Sequence, residues 1–131
     1  MYLIVLGAEV EGRRLIDIAV EQGHEVTLIE KDEEKARLVL KAHSIRVLNG
    51  TIVDKDILKE ATVTRAEAVI ATTYDDAQNL MAMVLAKEYG IEQRISLLNQ
   101  SSHAHIFEHL GIKVVNDPAA IIARQLFEFL D

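Results

Sequence analysis

The chain has 131 residues, half of them hydrophobic and 27% charged, with one proline and no cysteine. That balance fits a single domain, residues 1–131, with a core of its own, and it excludes a disordered chain or a disulfide-stapled scaffold. A formal charge of −7 repels nucleic acid and anionic membrane surfaces, and the longest basic run, Arg13-Arg14, is bracketed by acids.

In chain order, Tyr2-Leu-Ile-Val-Leu6 is a short apolar run ending in glycine, the pattern of a strand buried on both faces. It is too short, and lacks the basic lead, for a secretory signal. No window approaches a membrane span, so no direct membrane insertion is expected, and the absence of cysteine agrees with a reducing, cytoplasmic setting. Similar runs recur at Val26–Ile29, Ile45–Leu48, Ala68–Ala71, Ile95–Leu98 and Val114–Val115. Between them lie helical periodicities: Leu15, Ile18 and Ala19, then Ala36, Val39 and Leu40, and later Leu80, Val84 and Leu85. The third crossover, 54–61, has only Ile57 and Leu58 to pack and predicts a minimal helix. Ser102 is the expected cap of a helix over 103–109 ended by Gly111, and Pro118 suits the first turn of a last helix running to Leu130. Six short buried strands alternating with helices define an α/β fold, a doubly wound, Rossmann-like parallel sheet. The expected strand order is 3-2-1-4-5-6, because parallel strands need right-handed crossovers and two mononucleotide-binding halves generate that order.

The first strand feeds Gly7-Ala8-Glu9-Val10-Glu11-Gly12, which matches G-x-G-x-x-G at its first and third glycines and fails at the second. It follows a strand and opens a helix, and Glu30 stands 23 residues beyond Gly7 at the end of the next strand. In that context Gly7 permits a tight turn, Gly12 lets helix and strand approach, Glu30 accepts hydrogen bonds from ribose hydroxyls, and the helix start offers N–H groups to an anion. The other reading of Glu30-Lys31-Asp32 is a polar strand end leading into a helix cap.

These residues, with Gly23-His-Glu-Val-Thr-Leu-Ile-Glu30-Lys31-Asp32, Asn49-Gly50-Thr51, Ala68-Val-Ile-Ala-Thr72-Thr73-Tyr74-Asp75-Asp76, Asn79 and His109-Leu-Gly-Ile112 before Val114-Val115, resemble the RCK family. The RCK domain, also called KTN or TrkA-N, regulates potassium conductance. The resemblance covers nearly the whole chain. It implies a cytoplasmic, nucleotide-sensing regulatory domain of a potassium channel or transporter, without enzymatic activity, that assembles as homodimers or rings through its last helix. It also implies an adenine site near Gly50, Thr51 and Ile52, with Thr72 and Thr73 facing the cleft. The two hydroxyls could equally cap the turn before the next helix.

Three positions depart from the family pattern: Glu9 replaces the middle glycine, Gly50-Thr51-Ile52 replaces Gly-Asp-Ala, and Leu97 stands where an arginine is frequent. Glu9 places a side chain and a charge at the point of closest approach to a pyrophosphate. Two unit charges about 4 Å apart repel by roughly 1 kcal/mol in water and about 4 at a surface-like dielectric. AMP, ADP or ATP is therefore expected in preference to NAD(H).

His103, His105, Glu108 and His109 form a polar helix surface, with no third metal ligand assignable from sequence. The last helix, from Ala119 to Leu130, is apolar on more than one face and must bury the remainder against something. Two alternatives share the fold. A small NAD-dependent oxidoreductase would need a proton donor and substrate cavity that the sequence does not show. A scaffold that has lost its ligand would explain the three departures.

Overall fold

The computed structural model describes residues 1–131. Six strands form one parallel sheet in the order β3-β2-β1-β4-β5-β6, as the sequence implied. They are β1 (Tyr2–Leu6), β2 (Glu25–Glu30), β3 (Arg46–Asn49), β4 (Ala68–Ala71), β5 (Gln93–Leu98) and β6 (Lys113–Asn116). The helices between and after them are α1 (Val10–Glu21), α2 (Glu33–Ala42), α3 (Ile57–Glu60), α4 (Asp76–Glu88), α5 (Ala104–His109) and α6 (Pro118–Glu128).

Alternation along β1 divides the core. Leu3 and Val5 pack with Ile16 and Ala19 of α1 and Val39 of α2 on one face. Tyr2, Ile4 and Leu6 pack with Ile57 of α3, Ala82, Met83 and Ala86 of α4 and Phe107 of α5 on the other. The order reverses between β1 and β4, so the loops leaving these two strands diverge to opposite faces and open a crevice at the carboxyl edge of the sheet.

Several sequence expectations shift here. In α1 the buried residues are Gly12, Ile16 and Ala19, whereas Ile18 is exposed; in α2 Leu40 is exposed while Ala36 and Val39 are buried. In α4 the buried stripe is Asn79, Ala82, Met83 and Ala86, with Val84 at the surface. Ser102 caps nothing: it lies inside a 3-10 turn over Ser101–His103 that precedes α5. The last helix ends at Glu128, two residues short of Leu130, with Pro118 at its first position and Asp117 as its cap. None of its residues is buried.

Candidate functional site

A cavity of about 300 Å³ opens at the crevice, walled by the ends of β1, β2 and β3 and by the loop between β4 and α4. Of the residues singled out in the sequence, Gly7, Glu9, Glu30, Lys31, Gly50, Thr51, Ile52 and Thr73 line it. Ala8, Val10, Gly12 and Thr72 do not: Ala8, Gly12 and Thr72 are buried, and Val10 is exposed.

Gly7 leaves β1 with φ +101°, a conformation that side-chain-bearing residues rarely adopt. A Cβ at Gly12 would overlap the Gly7 carbonyl oxygen and lie 2.5 Å from Thr72 Oγ1, so helix and turn touch as the motif requires. The Thr72 hydroxyl is turned inward, away from the cleft it was expected to face: it is buried and donates to the carbonyls of Leu6 (2.9 Å) and Gly7 (3.0 Å). Thr73 does stand at the cavity, its hydroxyl donating to Asn79 Oδ1 at 2.6 Å. Thr73 also caps the turn before α4, its Oγ1 accepting from Asp75 N at 3.2 Å, while the cap of α4 itself is Asp75, which accepts from the N–H groups of Ala77 and Gln78.

Glu30 is buried at the end of β2, and its carboxylate is already engaged by backbone. Oε1 accepts from Ala8 N at 2.7 Å and Oε2 from Asp32 N at 2.8 Å, tying the first turn to the start of α2. A carboxylate has about four lone-pair sites, so two remain for a ligand hydroxyl. The reading of this segment as a polar strand end leading into a helix cap is met, because Asp32 is the cap of α2 and accepts from the N–H groups of Glu34 and Lys35. At the end of β3, Gly50 N donates to the Glu30 carbonyl at 3.0 Å, and Thr51 is fixed by Asp54, which accepts from its N–H at 2.8 Å.

Glu9 occupies the cap position of α1, yet its side chain makes no capping bond. Its carboxylate pairs instead with Lys35 Nζ across the cavity. The bare negative charge expected from the sequence is therefore neutralised by a residue the sequence reading missed. The available signal was a lysine in the first turn of a helix, beside Glu33 and Glu34, where the helix dipole disfavours a cation. That hydrogen bond to Glu9 in turn holds the lysine above its ordinary pKa. Tyr74, Asp75 and Gln78 also line the cavity. Tyr74 donates to Glu11 Oε2 at 2.8 Å, bridging the β4–α4 loop to α1, and this bond pushes the phenol up to about 12.

Beside the cavity, Asp76 is a buried hub. Its carboxylate accepts from the N–H groups of Asn99 (2.8 Å) and Gln100 (3.0 Å) and from the Asn99 amide (2.9 Å), and it pairs with His103 Nδ1 (2.9 Å). The helix-surface histidines thus divide, with His103 drawn inward to Asp76. No group of three or more His, Cys, Asp or Glu side chains could hold a metal ion.

A parallel sheet of this order, with a glycine turn into a helix and an acid-ended second strand framing a crevice at the switch point, defines a Rossmann-like α/β domain. The pattern of the family described as TrkA-N domain matches residues 3–118, and the chain belongs to that family. It is 30% identical over 126 residues to the Trk system potassium uptake protein TrkA homolog of Methanothermobacter thermautotrophicus, covering 96% of this chain and 58% of that protein. The chain spans about half to three-fifths of the length of the first curated relatives it matches. In fold it is similar to the TrkA-N domain of inner membrane protein ybaL from Escherichia coli, with TM-score 0.84, 18% identity and coverage of 99% and 96% of the two chains. It is also similar to a Kef C-terminal domain of Shewanella denitrificans in AMP-bound form (TM-score 0.73, 18% identity, 88% and 71% coverage). A GsuK channel bound to NAD is a further likeness (TM-score 0.75, 18% identity, 87% and 21% coverage). No helix of the chain is long and apolar enough to cross a membrane.

Proposed function

We propose that this domain binds an adenine nucleotide in the crevice and acts, without turnover, as a cytoplasmic regulatory module of a potassium transporter or channel. The observation that carries the reading is the cavity itself, where the first turn, the Glu30 carboxylate and the β3 end converge on one space of about 300 Å³. In this reading adenine packs against Gly50, Thr51 and Ile52, ribose meets Glu30 and Lys31, and phosphate lies between Gly7 and the start of α1. A mononucleotide is favoured over NAD. The cavity lies mainly on the β1–β2–β3 side, while at β4 and β5 the polar groups around Asp76 are satisfied by one another.

The apolar surface left uncovered supports pairing of copies. On α6 Phe127 is 72% exposed, and Phe129, just past its end, is 86% exposed. On the sheet face shared with α1 and α2, Ile70, Ile95 and Leu97 are half-buried and Val115 is exposed. A second copy covering both would give the dimer from which a ring is built.

Thermal melts with AMP, ADP, ATP, NAD and NADH test the nucleotide reading. A ligand that binds only the folded state stabilises it by about 2.7 kcal/mol at ~100 times its Kd. AMP or ADP is expected to raise the melting temperature more than NAD does at equal concentration. No shift with any of them would favour the scaffold alternative.

A further inference from the structure

Glu9 and Lys35 form the one ion pair on the cavity wall, and its geometry is unusual for each partner. Glu9 sits where a carboxylate normally caps its own helix, but α1 receives no side-chain acceptor. Its first-turn N–H groups, which no helix can satisfy internally, are left to other partners. Lys35 lies in the first turn of α2, where the helix dipole repels a cation, so an anion opposite it is what makes that position tolerable. The Glu9 and Lys35 side chains are 26% and 36% exposed, so the pair is partly desolvated and partly open to solvent. The cap residue of α1 and the Lys35 ammonium therefore meet at one cavity, and the anion now held there is the chain's own carboxylate.

We infer, on the basis of the nucleotide reading above, that the Glu9–Lys35 pair reads the ligand's phosphate. Lys35 passes from Glu9 to the phosphate when the nucleotide is seated, and Glu9 competes for that same lysine. A phosphate carries more charge and more acceptor oxygens than a carboxylate, and at this place it also meets the N–H groups of α1, so the exchange runs towards the ligand. The released Glu9 turns to solvent. The competition tunes affinity for the phosphorylated part of the ligand and leaves the nucleoside part unaffected.

Calorimetry with adenosine, AMP and ADP on the wild type, Glu9→Gln, Lys35→Met and the double variant tests this. Glu9→Gln is expected to raise AMP and ADP affinity by about tenfold or more, and Lys35→Met to lower it by about ten- to a hundredfold, with adenosine unchanged in both. The double variant should bind AMP no better than Lys35→Met alone, because without the lysine there is nothing to compete for. Unchanged AMP binding in Lys35→Met would overturn the inference. So would an equal gain from Glu9→Gln with and without Lys35, which would mean plain repulsion by Glu9. In either case, nucleotide binding by the wild type leaves the proposed function standing. If the wild type binds none of the three ligands, that function fails and takes the inference with it. Since the gain in Glu9→Gln requires a folded protein, loss of fold cannot imitate it.

Discussion

Gly12 shows how strictly one residue can be dictated by its neighbours. Its missing side chain lets α1 rest on the Gly7 carbonyl and the Thr72 hydroxyl, and no rotamer change elsewhere relieves a backbone clash. Gly12→Ala is expected to cost about 3 kcal/mol in urea denaturation, at the upper end of ordinary overpacking. Arg94 makes the opposite case. It is 8% exposed on β5, and neither Nε nor Nη1 has a hydrogen-bond partner. A charge held in this way opposes folding, so Arg94→Met should stabilise the domain by about 1–4 kcal/mol, read as a higher denaturation midpoint. A lower midpoint would show that the guanidinium is stabilised where it stands.

At the scale of elements, Asp76 joins the start of α4 to the loop after β5 and so fixes the wall beside the cavity. Burial pushes its carboxyl up, but the donors from Asn99, His103 and Gln100 together outweigh this and hold it below its ordinary value. A carboxyl lowered on folding contributes stability above its unfolded pKa, about 3.9, and loses it as pH falls through the folded value. Asp76→Asn should therefore cost about 1–3 kcal/mol at neutral pH, with the gap from wild type narrowing below about pH 4. Chemical denaturation at a series of pH values would show this. A gap that stays constant with pH would mean that the charge is irrelevant and only the geometry of the acceptor matters. The β5–α5 connection also explains why Ser102 fails as a cap. With Asn99 and Gln100 held by Asp76, the chain enters α5 through a 3-10 turn, leaving Ser102 inside it.

For the whole molecule, the apolar excess of the last helix has become an exposed surface rather than an added core layer. On α4, Met83 is fully buried and Met81 reaches the surface. Association is thus expected to depend on α6, and Phe127→Asp should return the protein to the mass of one chain in light scattering at ~0.1 mM, because a charge desolvated at an interface centre is costly. An unchanged mass for this variant would place the contact elsewhere.

The sequence by itself determined the six strands, their parallel order, the glycine turn and the acid that ends β2. All of these follow from short-range signals: apolar runs of strand length, crossover handedness, and glycines where backbone must come close. It also marked most residues of the cavity wall, because the ends of successive parallel strands meet at one edge. Tertiary structure alone decided which residue each side chain answers. Lys35 neutralises Glu9 from 26 positions away, Glu30 spends two of its lone pairs on backbone N–H groups, and Thr72 turns from the cleft to brace the glycine turn. The buried stripe also departs in places from the apolar periodicity: in α1 Ile16 is buried and Ile18 exposed, while in α2 Ala36 and Val39 are buried as expected and Leu40 is not. Periodicity fixes the spacing of an apolar face, but its phase is set by the rotation at which the helix docks on the sheet. Pairings between distant polar groups carry no periodicity, so they become legible only when the fold brings those groups within hydrogen-bonding distance.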